Sequence, residues 1–200
     1  MQVSFSRIAA AAALAASSLC AHAGPIPYPN AGVENPTLYS FTATSTGNIG
    51  AYFFSGGGAS YTNELTMLVN GVATGIQGLN NQTSAYGAYL DLGTVTAGDV
   101  LVFVMVNLSP GGIGPWYSDK SLNSDGINHI YSTDFAGDGT VPGGTYVAFE
   151  DLDGGGDFNY NDLAFVFTNV STSTGVSSPS PLSLLIAAGA AAALLRRKPH

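Results

Sequence analysis

Between Tyr146 and Phe167, two apolar runs flank a loop dense in carboxylates, amides and glycines: Glu150-Asp151-Leu152-Asp153-Gly154-Gly155-Gly156-Asp157-Phe158-Asn159-Tyr160-Asn161-Asp162. Calcium asks for six to eight oxygen ligands, best supplied by a short, flexible segment. Asp151, Asp153, Asp157, Asn159, Asn161 and Asp162 are candidate ligands, and the glycines permit the tight backbone path such a loop needs. With Asp151 as the first position of a helix-loop-helix calcium loop, Asp153 falls third, Gly156 sixth and Asp162 twelfth. Gly155, fifth, offers no side-chain oxygen, and the flanks are strands, so this is not an EF-hand. The competing reading is a solvated hairpin, since Asp, Asn and Gly are the ordinary residues of tight turns. Repulsion among so many carboxylates with no Lys or Arg in the loop favours the cation.

Two further sets of residues carry potential chemistry. Asp134-Phe135-Ala136-Gly137-Asp138-Gly139 adds Asp134 or Asp138 as metal ligands if it folds beside the main loop, and is otherwise a type I turn. Trp116 and Tyr117 lie in a Gly- and Pro-rich stretch, where they can stack on sugar rings or cover the core.

Charge and composition narrow the function classes. The 200 residues hold 13 Asp and Glu against 5 Lys and Arg. All the acids lie between Glu34 and Asp162, a span whose one basic side chain among Lys and Arg is Lys120. Such a surface does not bind nucleic acid, whose phosphates need Lys and Arg. The one cysteine, Cys20, lies in the N-terminal segment, so the domain has neither a disulfide nor a cysteine nucleophile. His129 is its one histidine, too few for a zinc centre. No Gly-x-Ser-x-Gly elbow occurs, and nothing pairs Glu34, Glu64 or Glu150. No catalytic residue is assigned, and the chain is read as a non-enzymatic binding or structural module. The alternative is a secreted glycan hydrolase working through a carboxylate pair. Self-assembly into a surface layer is a third class.

The elements that position these residues read as strands. Leu38 to Ala43, Ile49 to Phe54, Glu64 to Val69, Tyr86 to Leu92, Val100 to Val106, Ile127 to Ser132, Tyr146 to Phe149 and Asp162 to Thr168 are apolar or alternating runs separated by turn residues. Asn70-Gly71 signals a hairpin leading to Val72. About eight short strands without a helix predict an all-β domain, an antiparallel sandwich or jelly roll.

Both ends read as sorting segments. Arg7, the apolar Ile8 to Leu19 and Ala21-His22-Ala23 form a secretory signal over 1–23, cleaved before Gly24. The acidic domain is placed at 24–170. A Ser/Thr/Pro linker, 171–181, ends in Pro179-Ser180-Pro181. An apolar helix, 182–195, and a basic tail, 196–200, with Arg196, Arg197 and Lys198 follow, and the positive-inside rule places that tail in the cytoplasm.

This tail resembles the PEP-CTERM sorting signal of Gram-negative bacteria that make exopolysaccharide, with Pro179-Ser180-Pro181 where Pro-Glu-Pro is usual. The resemblance implies an exosortase-type membrane protease as partner, transient membrane anchoring, and an outer-surface or extracellular location associated with biofilm. A second resemblance rests on Phe149-Glu150-Asp151, Gly155-Gly156-Asp157, Asn159-Tyr160-Asn161-Asp162 and the strand from Leu163, with Asn128-His129 before Ile130-Tyr131 upstream. These positions are similar to the closing signature of an uncharacterised β-sandwich family of bacterial surface proteins. That family implies a fold and no settled mechanism.

Overall fold

The computed structural model describes residues 24–57 and 59–176. The segment 1–23 read as a secretory signal, the Pro179-Ser180-Pro181 motif, the apolar segment 182–195 and the basic residues 196–200 lie outside the described residues.

Alternating and fully apolar runs become strands in the places where the sequence lacks a helical period. They are β1 (Thr37–Ala43), β2 (Gly47–Ser55), β3 (Asn63–Val69), β4 (Val72–Asn80), β5 (Tyr89–Val95), β6 (Val100–Asn107), β7 (Trp116–Tyr117), β8 (Ile130–Phe135), β9 (Gly144–Phe149), β10 (Leu163–Thr168) and β11 (Val170–Val176). Two 3-10 turns, Lys120–Leu122 and Asp153–Gly155, are the helical elements among the described residues. No described helix is long and apolar enough to cross a membrane. Asn70 and Gly71 adopt φ values of 50° and 80°, the left-handed pair that a two-residue hairpin turn requires.

The strands form two antiparallel sheets packed as a β-sandwich. The first runs β11-β1-β6-β3-β4, with β7 joined to β6, and the second runs β5-β2-β10-β9-β8. Phe41, Leu65, Met67 and Phe103 meet Phe53, Val147, Phe165 and Phe167 between the sheets. Phe103 and Phe167 stack with ring centroids 3.7 Å apart.

The outer face of the second sheet carries another apolar layer. Phe54, Tyr146, Ala148, Ala164 and Val166 are covered there by Tyr28 from the N-terminal segment, by Val141 and by Tyr160. Strands β9 and β10 therefore have no solvent face, which explains why their sequences are apolar almost throughout.

Several boundaries differ from the sequence expectation. Tyr86 lies in a turn and β5 begins at Tyr89, while β8 is displaced to Ile130–Phe135. Residues 171–176, read as linker, are strand: β11 pairs along its whole length with β1, from Thr37↔Val176 to Ala43↔Val170. Asn169 switches the chain between sheets. Its φ is 65°, and its Oδ1 accepts from the Thr44 hydroxyl at 2.6 Å and the Ser45 N–H at 2.9 Å.

Candidate metal centre

The acidic loop springs from the end of the β9–β10 hairpin, where Leu163 pairs with Phe149. The hairpin continues one step further: the Asp162 N–H donates to the Phe149 carbonyl at 3.1 Å, and the Glu150 N–H to the His129 carbonyl at 3.0 Å. These bonds turn both acids inward at the mouth of the sandwich. The first sheet closes on the same point. Asn63, the first residue of β3, donates from Nδ2 to Asp151 Oδ2 at 2.7 Å, and Trp116 of β7 donates from Nε1 to the Asp151 carbonyl at 2.8 Å.

Glu150, Asp151 and Asp162 thereby bring one carboxylate oxygen each within 4.8 Å of one another. Oxygens that share a calcium ion at 2.3–2.6 Å stand at most about 5 Å apart, so this spacing fits such an ion. Glu150 is 1% exposed and Asp151 3%. Glu150 Oε2 and Asn63 Oδ1 are buried with no hydrogen-bond partner. The Asp162 carboxylate beside Glu150 is itself an acceptor, so only a shared proton or a cation relieves that pair.

Burial is the main cause of three upward pKa shifts here. Glu150 is pushed up to about 8 by burial, and then by the charges of Asp162 and Asp157. Asp162 rises to about 6 through burial, against the hydrogen bond from the Asp151 N–H. Asp151 rises for the same first reason, opposed by its bond from Asn63. Leaving such groups charged and unpaired costs several kcal/mol, and the one Lys among the described residues is spent elsewhere: Lys120 Nζ pairs with Glu34 at 2.7 Å.

Backbone strain and a second polar layer hold the loop over these acids. Gly156, with φ of 49°, passes so close that an added β-carbon would stand 2.7 Å from Glu150 Oε1. Phe158 and Tyr160 also lie at positive φ, 51° and 53°, a conformation that costs a side-chain-bearing residue of order 1 kcal/mol or more. The Tyr160 hydroxyl ties this strained turn to the body, donating to the Asn128 carbonyl at 3.0 Å and accepting from the Asn35 N–H at 2.8 Å.

His129 stacks on Trp116 with centroids 3.9 Å apart. Its Nδ1 faces the Glu150 carbonyl at 2.8 Å and its Nε2 faces Asp125 at 2.9 Å. Both ring nitrogens thus meet oxygen atoms of the acidic loop and its neighbour Asp125. Asp125 also receives the Gly154 N–H at 2.9 Å. Burial pushes Asp125 upward, but the bonds from Ile127, His129 and Gly154 outweigh it and hold its carboxyl below the ordinary range.

Of the six ligands read from the sequence, Asp151 and Asp162 join the cluster. Asp157 is exposed, yet near enough for its charge to raise both Glu150 and Asp162. Asp153 is exposed on the 3-10 turn and outside the group. Asn159 closes a local turn, donating to Asp157 at 2.7 Å and accepting from the Asn161 N–H at 3.0 Å.

The second-loop candidates do not reach this site. Asp134 pairs with Thr145 at the far end of the β8–β9 hairpin, whereas Ile130 pairs with Phe149 at the near end. Asp138 is used within its own turn, accepting from the Thr140 and Val141 N–H groups and from the Tyr86 hydroxyl. The stacking role of Trp116 is also overturned. At 1% exposure the indole has no face for a sugar, because the His129 ring and the sandwich interior cover it. Tyr117 beside it is half-buried.

Glu150 and Asn63 are the residues that the ligand count missed. A loop search that begins at Asp151 passes over Glu150, and Asn63 lies 88 residues away from Asp151 on the other sheet.

These features define an acidic, two-sheet β-sandwich with a carboxylate cluster buried where the sheets meet. Residues 33–169 match the model of the domain of unknown function DUF4114, and the chain belongs to that family. No curated protein and no solved structure matches the chain.

Proposed function

We propose that the domain is a calcium-stabilised, non-enzymatic module of the cell surface or extracellular matrix, which contacts polysaccharide or other surface proteins. One observation carries the reading: Glu150, Asp151 and Asp162 converge within 4.8 Å, and the buried Glu150 Oε2 among them has no partner. A divalent cation would neutralise that cluster and join the Asn63 strand to the β9–β10 hairpin, so the metal would fasten one sheet to the other.

The signal-like N-terminus and the PEP-CTERM-like tail support export, processing by an exosortase-type protease, and association with exopolysaccharide. A paired-carboxylate hydrolase finds less support, because Glu150, at 1% exposure, is out of a substrate's reach.

Thermal melts in calcium and in EDTA test the proposal. Calcium should raise the melting temperature by several degrees, since a ligand that binds only the folded state stabilises it. An unchanged melt would sink the metal reading. Glycan hydrolysis abolished by Glu150→Gln would restore the enzyme.

A further inference from the structure

We propose that Tyr52 and Tyr89 form a stacking platform for a neutral polysaccharide on the outer face of the second sheet. This deepens the surface-module reading, on which it rests, by naming a partner class and the residues that hold it. It does not require the cation.

The two tyrosines are cross-strand partners on β2 and β5, with ring centroids 5.0 Å apart and planes tilted by 53°. Gly50, two residues before Tyr52, explains how Tyr89 is held. A β-carbon at Gly50 would stand 2.9 Å from Tyr89 Cε2 and 2.7 Å from Thr168 Oγ1. The Tyr89 ring therefore lies down across the bare backbone of a central strand, where glycine otherwise weakens the sheet. One side of the ring rests on that backbone, yet the residue is still 54% exposed. A ring fixed in this way has little rotamer freedom left to lose when a ligand arrives.

Sugars suit such a ring, with apolar C–H faces for the aromatic plane and hydroxyls around the rim. Acceptors for those hydroxyls stand alongside. Asp91 lies opposite Gly50 in the pairing and holds Asn48 Nδ2 at 2.5 Å. Tyr52 also borders a groove of about 490 Å³ whose far wall is the glycine-rich backbone of 136–143, a volume within the usual range of ligand sites.

Charge selects the class of glycan. The 13 Asp and Glu face a single Lys within this domain, and Lys120 is already paired with Glu34. A polyanion is repelled, whereas a neutral, hydroxyl-rich chain is not. The tyrosine would serve a merely structural purpose if it only covered the strand glycine, and the test separates the two roles.

The experiment is native gel electrophoresis of the full chain in gels containing dextran, galactomannan or hydroxyethylcellulose, with alginate as the anionic comparison, each with calcium and with EDTA. At least one neutral glycan should retard the protein, and alginate should not. Tyr52→Ala and Tyr89→Leu should each weaken retardation about tenfold, while Tyr89→Phe keeps it. Leucine still covers Gly50, so Tyr89→Leu should melt like the parent while losing the aromatic plane. No retardation by any neutral glycan, retardation by alginate alone, or retardation unchanged in Tyr89→Leu would overturn the proposal. Retardation that persists in EDTA, in a protein whose melt ignores calcium, removes the cation reading and leaves this one standing. A calcium-dependent melt without retardation does the reverse.

Discussion

Replacing Glu150 by glutamine keeps the side chain's shape and removes its charge, and the structure fixes the sign of the outcome. In calcium-free protein, Glu150 is pushed from its ordinary 4.5 up to about 8. The folded domain thus holds a proton that the unfolded chain releases near 4.5, and stability declines as pH rises across that window by about 1.4 kcal/mol per pH unit. Between pH 4.5 and neutrality the loss amounts to about 3 kcal/mol at most. Glutamine has no such proton. Calcium-free Glu150→Gln should therefore be more stable than the parent at neutral pH, by up to about 3 kcal/mol, a rise in melting temperature of roughly 6–12 °C for a domain of this size. The two proteins should converge near pH 4.5. Calcium narrows this gap. At a hundredfold excess over Kd a cation stabilises the parent by about 2.7 kcal/mol, and the variant, with one carboxylate fewer, gains less. Circular dichroism melts across pH, in EDTA and in calcium, read all of these quantities. A variant less stable than the parent in EDTA at neutral pH, with the same calcium shift, would refute the argument.

Three more outcomes follow from the same geometry. Gly156→Ala forces a β-carbon within 2.7 Å of Glu150 Oε1 at a φ of 49°; it should cost about 1–3 kcal/mol in chemical denaturation and shrink the calcium shift. Trp116→Phe keeps a ring against His129 but leaves the buried Asp151 carbonyl without its indole donor, so the urea midpoint should fall by the equivalent of about 1–3 kcal/mol. Ending the chain at Asn169 strips β11 from β1 and uncovers a strand edge; the melting temperature should drop, and sedimentation should reveal self-association.

The sandwich was legible because its strands alternate or run apolar, and because Asn70-Gly71 announces its hairpin. Two strands escaped for opposite reasons. β7 is two residues long, too short to carry a period. In β11 the residues Ser171, Thr172, Ser173, Thr174 and Gly175 have the composition of a linker, and they become strand only because β1 offers a free edge. At the site, the first and last positions of the counted loop, Asp151 and Asp162, do meet. Glu150 was hidden by its place at the end of a strand, where the turn of the backbone decides whether the side chain enters the core. Asn63 carries no local signal at all, since only the packing of the two sheets brings it to Asp151. Trp116 reads as a loop aromatic until β7 pairs with β6 and draws it inside.

The change of sheet at Asn169 gives the domain uneven resistance to tension. A tug on the chain beyond Val176 first meets β11, which lies at the rim of its sheet and pairs with β1 alone, so it peels bond after bond. The next strand inward, β10, is clasped by β2 on one flank and β9 on the other, and can only be drawn out whole. A tether under load, or a protease feeding from that end, should take the seven residues of β11 and then stall.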